Sequence, residues 1–297
     1  VMDEGKIDED EKLYAHNKGR KNKKGEYPKG RYKLDRFTIK DDHRFKKQYL
    51  TLEDIVIFSS NIGTLQYAQR LSGQEFYNGL KKFGITKETG IDLPYEREGV
   101  MPKVWQFAAN DDEGEDNVFK ATVSYGQGMT STFMQMIKAY TVFNNDGYMS
   151  TPKIVSKLTH NNKLYRPNDI PPEQVISKKT ANKIKDLLIK TVEKGTGRSA
   201  QIQGLEIGGK TGTAQIARKG RYLRKYISSF FGFVNDHKGR SYTIGVTVRE
   251  PVSRGKNWYY YYAAWSAVPV FKETVKTLVK LNYLEMNKDE IKNKSEK

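Results

Sequence analysis

Between residues 51 and 73, apolar residues recur with the period of an α-helix. In "TLEDIVIFSSNIGTLQYAQRLSG" the residues Ile55, Phe58, Ile62 and Leu65 lie three or four positions apart, as they do along one face of a helix. Thr51 opens this stretch and an aspartate follows three residues later, a pair that is typical of the capping box at a helix start. We therefore predict helical structure from Thr51 onward, with Ser-Ser-Asn where one helical stretch passes to the next.

Three more segments of the middle region show helical patterns. "SGQEFYNGLKKFGI" predicts a short helix that stops near Gly84. "STFMQMIKAYTVFNNDG" predicts a clearer one, with Phe133, Ile137 and Tyr140 on one apolar face. Ser177 is the predicted cap of "KKTANKIKDLLIKTVEKG", a basic amphipathic helix whose apolar face is better explained by packing than by a membrane. The middle of the chain is therefore expected to be helical.

Beyond residue 205 the pattern changes from the helical to the strand period. "LEIGGKTGTAQI", "YISSFFGFVND" and "RSYTIGVTVRE" are β-rich apolar runs, and "NDHKG" between the last two predicts a hairpin turn. Near the N-terminal end, apolar and polar residues alternate in "RYKLDRFTIKD", which predicts one short strand. A final helix is predicted for "SAVPVFKETVKTLVKLN", with Pro269 in its first turn. This order predicts an α+β domain built around an antiparallel sheet.

Composition narrows the class of protein. With 297 residues, 37% of them hydrophobic, the chain is long enough for a sizeable core, and the lack of cysteine excludes disulfides and cysteine-ligated metals. The formal charge of +17 suits nucleic acid, anionic lipid or an acidic polymer, so a basic binding module stays open. No apolar run reaches the roughly 18 residues that a membrane helix needs. The opening "VMDEGKIDEDEK" reads as a piece of something longer, and any anchor is expected upstream.

The segment "GLEIGGKTGTAQ" fits two kinds of chemistry. From Gly204 to Thr211 it matches the phosphate-loop pattern G-x-x-x-x-G-K-[ST], and Asp236 in "FFGFVND" would imitate the metal-binding residue of a nucleotide site. A phosphate loop needs a buried strand before it and a helix after it. "SAQIQ" is too polar for that strand, and Gly212 disfavours a helix. The alternative is that Lys210 begins the K-T-G strand of penicillin-recognising acyltransferases.

A second motif favours the acyltransferase interpretation. Ser59-Ser60-Asn61 is a Ser-x-Asn sequence far upstream of the Lys-Thr-Gly strand, in the order that these enzymes show. With "ATVSYGQGMTSTFMQMIKAYTVFNNDG", "KGTGRSA" and "VREPVSRGKNWYYYYAAWSAVPVFKETV", the chain resembles the transpeptidase domain of class B penicillin-binding proteins, most like the division type, from about residue 30 to 282. Ser60 argues against class A β-lactamases, which usually carry aspartate there.

The resemblance implies a fold, a function and a location. The fold would be the penicillin-binding, serine β-lactamase-like one, an antiparallel sheet flanked by helices with its N-terminal part missing. Residues 1–283 would form the transpeptidase domain and residues 284–297 a polar tail. The function would be D,D-transpeptidase cross-linking of peptidoglycan during division, at the cytoplasmic membrane and facing the periplasm or cell exterior. Expected partners are stem peptides, β-lactams and divisome or elongation-complex membrane proteins; no nucleic acid, cofactor or metal is expected.

In the Ser-x-Asn motif, the resemblance assigns two roles. Ser59 would relay a proton between the base lysine and the leaving amine, because a hydroxyl both donates and accepts hydrogen bonds. Asn61 would hold the backbone of the acyl donor through its side-chain amide. The alternative is that Ser59 and Asn61 only cap a helix end, which is the commoner role for these residue types.

Along the Lys-Thr-Gly strand, the resemblance implies a grip on a carboxylate. Lys210 would supply the positive charge, and Thr211 and Thr213 would add hydroxyl groups, for the terminal carboxylate of a stem peptide or β-lactam. Gly212 would leave room for the substrate along the strand edge, as in β-strand addition. The backbone N–H of Thr213 would be one oxyanion donor. Lys210 could instead be an ordinary exposed strand lysine.

The family's nucleophile is not recognisable in this sequence. The family carries its serine and base lysine in a Ser-x-x-Lys motif before Ser-x-Asn, whereas residues 1–58 contain no serine. The string from Ser253 to Lys256 follows the Lys-Thr-Gly strand and reads as coincidence. We expect the nucleophile upstream of Val1, and the chain by itself to be inactive. A non-catalytic relative that binds wall peptides stays open. The aromatic run Trp258 to Tyr262 is expected to be packed or to line the cleft rim.

Overall fold

A computed structural model describes residues 1–109, 111, 116–218, 221–252, 261–287 and 289. The strands are β1 (Leu13–Tyr14), β2 (Arg31–Leu34), β3 (Phe37–Lys40), β4 (Tyr49–Leu50), β5 (Tyr148–Met149), β6 (Leu158–His160), β7 (Lys163–Tyr165), β8 (Glu173–Gln174), β9 (Glu206–Arg218), β10 (Arg221–Asn235) and β11 (Ser241–Arg249). The helices are α1 (Leu52–Ile57), α2 (Asn61–Ala68), α3 (Gly73–Lys82), α4 (Val104–Ala108), α5 (Val118–Ser124), α6 (Phe133–Thr141), α7 (Lys178–Lys194) and α8 (Ala267–Lys280). None of the helices in these ranges is long and apolar enough to cross a membrane.

The main sheet consists of the three long strands near the C-terminal end. Their order is β11-β10-β9, both pairs are antiparallel, and residues 236–240 form the hairpin turn between β10 and β11. This confirms the predicted α+β class and the three predicted strands. Because β10 is central, β9 lies at an edge, and its second edge carries no partner strand in the described part of the chain.

Helices cover both faces of this sheet. Neighbouring residues of a strand point to opposite faces, and Phe230 packs edge-on against Phe271 of α8 while Phe231 contacts Phe133 and Tyr140 of α6. Phe230 and Phe271 are fully buried. The predicted apolar face of α6 is therefore confirmed as the face that packs on the sheet, and the predicted final helix closes the other side.

The α1–α2 corner follows the predicted helix start. Thr51 and Asp54 form the capping box of α1. The corner is tight, because a Cβ atom at Gly63 would lie 2.4 Å from the Ile55 Cγ1 atom. Phe58 departs from the predicted apolar face: it is the C-cap of α1 and is 39% exposed. Its helical spacing ends where the helix itself ends.

Two boundaries differ from the expectations. "RYKLDRFTIKD" forms a hairpin of β2 and β3 in place of one strand, because Asp35 adopts a left-handed φ of 49° and reverses the chain. At the C-terminal end, Leu284 is buried and the Asn287 N–H donates to the Gly204 carbonyl. Packing thus continues past the boundary expected at residue 283, and most of the remaining tail lies outside the described residues.

The basic helix α7 is tied to its surroundings by ion pairs. Its lysines contact carboxylates of four different segments: Lys178 with Asp146, Lys183 with Glu9, Lys185 with Glu206, and Lys190 and Lys194 with Glu53. Leu187, Leu188 and Val192 are buried beneath them. The amphipathic pattern of α7 therefore reflects packing, as predicted.

Candidate active site

The two motifs meet between the α1–α2 corner and the edge strand β9. Ser59 lies between the two helices and Lys210 lies on β9, 151 positions later, and the Lys210 Nζ atom donates a hydrogen bond of 2.7 Å to the Ser59 Oγ atom. Both side chains are partly buried. A contact over this separation in sequence arises only from the tertiary fold.

The backbone conformation of the corner gives Ser59 and Ser60 different roles. Ser60 is the N-cap of α2, and its Oγ atom accepts from the Gly63 N–H at 2.9 Å. Ser59 has a left-handed φ of 58°, a conformation that serine rarely adopts. The helix-cap role considered for Ser59 is therefore filled by Ser60. As a result, the Ser59 hydroxyl is directed at Lys210.

Asn61 begins α2 on the same corner. Its side-chain amide nitrogen donates to the Lys40 carbonyl at 3.0 Å, and the residue is partly exposed. One amide hydrogen and the amide oxygen remain for other partners, because an asparagine side chain has two N–H donors and an acceptor oxygen. Asn61 thus lies beside Ser59 and is joined to the end of β3.

Lys210 has an unusual environment for a lysine. Burial lowers its pKa from 10.5 to about 8, since the charged form loses solvation. The ammonium group contacts the Ser59 hydroxyl and the Thr211 carbonyl oxygen, and it forms no salt bridge with a carboxylate of the described ranges. A positive charge held by neutral oxygens is suited to receive an anionic group from a ligand.

The rest of the Lys-Thr-Gly strand presents hydroxyl groups and open space. The Thr211 hydroxyl donates to that of Thr196 at 2.8 Å, and the Thr213 hydroxyl accepts from the Ala263 N–H at 3.2 Å. A Cβ atom at Gly212 would have no neighbour within 4 Å. An extended ligand can therefore lie beside Gly212 at the free edge of β9.

Three residues near the corner were not selected from the sequence. Asp41 is buried and accepts a hydrogen bond from the Ser60 hydroxyl. Burial lowers the pKa of His43, as do the positive charges of Lys29 and Lys210, against the opposing charge of Asp42. The Thr196 N–H donates to the Ile57 carbonyl. Two features of the sequence could have indicated these residues. Asp41 and His43 belong to "DDH" directly after a predicted strand, and Thr196 is the threonine within "KGTGRSA".

The phosphate-loop interpretation of residues 204–211 is wrong. β9 runs without interruption from Glu206 to Arg218, so no helix N-terminus follows Lys210 to hold a phosphate. Asp236 belongs to the turn before β11. Burial alone would raise the pKa of Asp236, but the N–H groups and the Arg240 guanidinium that donate to it hold that pKa at about 2. This carboxylate is therefore occupied within the turn.

Two further sequence features are the Ser-x-x-Lys strings and the aromatic run, and part of each lies outside the described residues. Ser253 to Lys256, and Trp258 in the aromatic run, are among the residues that the structure does not describe. A second Ser-x-x-Lys string, Ser150 to Lys153, passed unnoticed in the sequence; the Lys153 Nζ atom pairs with Asp169 at 2.6 Å. Tyr261 and Tyr262 stack at 4.5 Å, and Tyr261 also stacks on Tyr226 at 4.0 Å.

Comparison with protein families gives a match over almost the entire chain. Residues 1–276 match the family described as the penicillin-binding protein transpeptidase domain. Stage V sporulation protein D of Bacillus subtilis is 33% identical over 215 residues, which are 70% of this chain and 31% of that protein. A probable peptidoglycan D,D-transpeptidase PenA of Neisseria flavescens is 29% identical over 248 residues, 82% of this chain and 55% of that protein. The chain thus spans between about a third and about half of these relatives.

Solved structures show the same fold. Penicillin-binding protein 3 of Mycobacterium tuberculosis, crystallised with ampicillin, superposes with a TM-score of 0.76 at 24% identity, covering 97% of this chain and 60% of that one. Its complex with aztreonam has the same TM-score. The helices and antiparallel sheet described above are therefore arranged as in that protein.

Proposed function

The chain belongs to the penicillin-binding protein transpeptidase family, and from this we propose that it is the substrate-binding part of a peptidoglycan D,D-transpeptidase. Its ligands would be acyl-D-alanyl-D-alanine stem peptides and β-lactams. The observation that carries the proposal is the 2.7 Å contact between the Ser59 hydroxyl and the Lys210 ammonium group. It joins the two motifs on which a serine acyltransferase of this kind depends.

Recognition begins at the ligand's carboxylate. Lys210 has no carboxylate partner in the described ranges, so the ligand's terminal carboxylate would complete its ion pair. The Thr213 hydroxyl would be a further donor, and the Thr211 hydroxyl would become one by turning its hydrogen from Thr196 to the ligand. The ligand backbone would lie along the free edge of β9, where Gly212 leaves space. The Thr213 N–H would donate to the oxyanion that forms at the carbonyl under attack.

Proton transfer would pass through Ser59. Its hydroxyl accepts a hydrogen bond from Lys210 and can itself donate one, so it could pass a proton between the base lysine, which would lie outside residues 1–297, and the leaving amine. Asn61 would donate its second amide hydrogen to the acyl part of the ligand. These two residues lie on one corner, and the contact with Lys210 fixes the distance between this corner and β9.

The nucleophile and its base would come from outside residues 1–297. Only two Ser-x-x-Lys strings occur in the sequence, from Ser150 and from Ser253, and both follow Ser59, whereas the family places its motif before Ser-x-Asn. Lys153 of the first string already pairs with Asp169. The chain by itself would therefore bind but not react.

The same reasoning extends to the whole protein. We assign residues 1–283 to the transpeptidase domain and residues 284–297 to a mostly polar tail whose first residues, Leu284 and Asn287, pack on that domain. The parent protein would be held at the cytoplasmic membrane with this domain facing the periplasm or cell exterior. It would act in division or elongation together with membrane proteins of those assemblies. Relatives named for peptidoglycan transpeptidation and sporulation support this setting.

Fluorescent penicillin tests the proposal. Acylation needs a serine with a base in hydrogen-bond reach, so the 297-residue chain alone should form no covalent adduct, while a longer chain that includes a Ser-x-x-Lys segment upstream of Val1 should be labelled. In the longer chain, Lys210→Ala should slow labelling about 100-fold, because truncating one partner of a charged contact costs roughly 2–5 kcal/mol. Labelling rates are read from gel fluorescence.

Three outcomes would contradict parts of this scheme. Labelling of the 297-residue chain, with the adduct mapped to Ser59 or Ser253, would mean that the nucleophile is misassigned. A longer chain that binds stem peptides without labelling would indicate a non-catalytic peptide-binding relative. Micromolar, Mg²⁺-dependent ATP or GTP binding abolished by Lys210→Ala would overturn the carboxylate role.

A further inference from the structure

Asp41 is a buried carboxylate at the end of β3 that faces the Ser-x-Asn corner. It is 1% exposed. Its two oxygens accept from the Ser60 hydroxyl at 3.1 and 3.2 Å, and one of them also accepts from the Ile62 N–H at 3.2 Å. It forms no salt bridge with a lysine, arginine or histidine of the described ranges.

Burying such a group is costly. A carboxylate loses its hydration when it is buried, and without a cation only hydrogen bonds compensate. Burial raises the pKa of Asp41 to about 6, even though the donors on the corner act in the opposite direction. An apolar residue at this position would avoid that cost, but it would leave the Ser60 hydroxyl and the Ile62 N–H without the oxygens that accept from them.

Those hydrogen bonds hold the residues on either side of Asn61. Ser60 and Ile62 are bound by Asp41 itself, and the neighbouring Lys40 carbonyl accepts from the Asn61 side chain. Ser59 precedes Ser60 and has the left-handed φ of 58°. Strained conformations persist where the surrounding contacts over-determine them. The end of β3 supplies such contacts to the corner.

We propose that Asp41 is a positioning residue for the acyl-transfer cleft: by anchoring Ser60 and Ile62 it holds the Ser59 hydroxyl against Lys210 and Asn61 in place beside it. This inference rests on the proposed function for its catalytic consequence. Its structural part, the Ser59–Lys210 contact, can be measured without any reaction. Asp41 is not assigned a catalytic role, because its hydrogen bonds reach only the corner itself.

The alternative is that Asp41 only caps the start of α2 and does not position Ser59. Asp236, another carboxylate that accepts several hydrogen bonds, provides a control. Asp236 is 9% exposed and also accepts several hydrogen bonds, from the Lys238, Arg240 and Glu285 N–H groups. It follows the last residue of β10 and lies five residues after Phe231, the residue paired with Lys210, which is about 16 Å at the strand rise. Asp236→Asn should therefore destabilise the fold without affecting the cleft.

The first experiment compares Asp41→Asn and Asp236→Asn in the 297-residue chain. Thermal unfolding should show a lower melting temperature for both variants. The Lys210 side chain, followed by ¹³C NMR of lysine Cε during a pH titration, should titrate near pH 8 in the unchanged chain and in Asp236→Asn. In Asp41→Asn its midpoint should rise by about half a unit or more, because Ser59 leaves and water reaches the ammonium group.

The second experiment measures acylation by fluorescent penicillin in the longer chain. Asp41→Asn should lower the second-order rate about tenfold, and Asp236→Asn should leave it within about twofold, since displacements of catalytic groups near 1 Å have large kinetic effects. If Asp41→Asn does not fold, Ser60→Ala replaces it, because it removes the hydroxyl that Asp41 binds; the same shift and slowing are expected.

The outcomes separate the two proposals. A lower melting temperature with an unchanged Lys210 midpoint and an unchanged acylation rate would reduce Asp41 to a helix cap and overturn its positioning role. If the longer chain with its natural sequence is not labelled at all, the proposed function fails. The NMR comparison then still decides whether Asp41 holds Ser59 against Lys210.

Discussion

At the scale of single residues, the chemistry of the cleft depends on which neighbours each side chain has. Ser59 and Ser60 are the same residue type at adjacent positions, yet Ser60 caps α2 while Ser59, with its left-handed backbone, contacts Lys210. Burial lowers the pKa of Lys210 to about 8, and Lys210 forms no salt bridge with a carboxylate of the described ranges. Its charge therefore changes within the range of ordinary assays.

Ligand affinity should follow the charge of Lys210. The ammonium form, which would bind the ligand's carboxylate, predominates below pH 8 and is lost as the pH rises through that value. Binding of an acyl-D-alanyl-D-alanine peptide should thus weaken above pH 8, by up to about tenfold per pH unit. Isothermal titration calorimetry between pH 6.5 and 9.5 measures this.

Lys210→Arg provides the matched control for this pH dependence. A guanidinium stays charged throughout the range, so whatever affinity the variant retains should not fall between pH 8 and 9.5. The protein with its natural lysine at position 210 should lose affinity over the same range. If its affinity is constant up to pH 9.5, either the Lys210 charge does not contribute to binding or the pKa of Lys210 is not lowered.

At the scale of elements, one turn after α7 joins the two sides of the cleft. The Thr196 N–H donates to the Ile57 carbonyl at the end of α1, and the Thr196 hydroxyl accepts from Thr211 on β9. Gly195 permits this close approach, because a Cβ atom there would lie 2.5 Å from the Ile57 carbonyl oxygen and 2.9 Å from that of Thr191. The separation of α1 and β9 thus depends on the lack of a side chain at Gly195.

Gly195→Ala should destabilise the protein. The added methyl group meets backbone atoms that cannot move cheaply, and overpacking of this kind costs about 1–3 kcal/mol of unfolding free energy. Chemical denaturation monitored by tryptophan fluorescence measures the loss, and acylation of the longer chain should also slow, because Ile57 precedes Ser59 by two residues.

Gly79→Ala is the control for that substitution. Gly79 lies inside α3, and a Cβ atom there has no neighbour within 4 Å. Alanine is the better helix former by about 1 kcal/mol, so this variant should be as stable as the parent or more stable. Equal effects of the two substitutions would contradict the role given to the turn.

At the scale of the whole molecule, the net charge is +17, but many of the basic side chains are paired with carboxylates of other elements. Five lysines of α7 pair with carboxylates that come from the N-terminal segment, α1, β9 and the loop after α6. Glu53 alone receives both Lys190 and Lys194. The basic face of α7 is therefore tied to the rest of the fold, which makes it a poor surface for nucleic acid.

Removing the charge of Glu53 should have a small, salt-dependent effect. Because these groups are partly exposed, Glu53→Gln should cost about 1 kcal/mol or less at low ionic strength. The difference should shrink at 0.5 M NaCl, where the charges are screened. Glu273→Gln removes the partner of Lys276 within the single helix α8 and should change the melting temperature less. A loss for Glu53→Gln that is independent of salt would point to packing instead of charge.

Much of the local structure follows from the sequence. The capping box at Thr51, the cap at Ser177, the apolar face of α6 and the three long strands were all predicted, because helix caps and apolar periods depend on residues that are near one another in the chain. The β2–β3 hairpin was missed because its turn uses a left-handed Asp35, which lacks the usual glycine signal.

The sequence by itself determined the helices that begin near Thr51, Ser72, Thr132, Ser177 and Ser266, the three long strands, and the identity of the two motifs, Ser59 to Asn61 and Lys210 to Thr213. Only the tertiary structure decided that Ser59 and not Ser60 contacts Lys210, that Asp41 lies beneath the corner, and that Thr196 joins α1 to β9. Periods and caps arise from contacts within a few residues, so a linear pattern contains them. Burial, pKa shifts and contacts across 151 positions depend on how distant segments pack, and no local pattern records that packing.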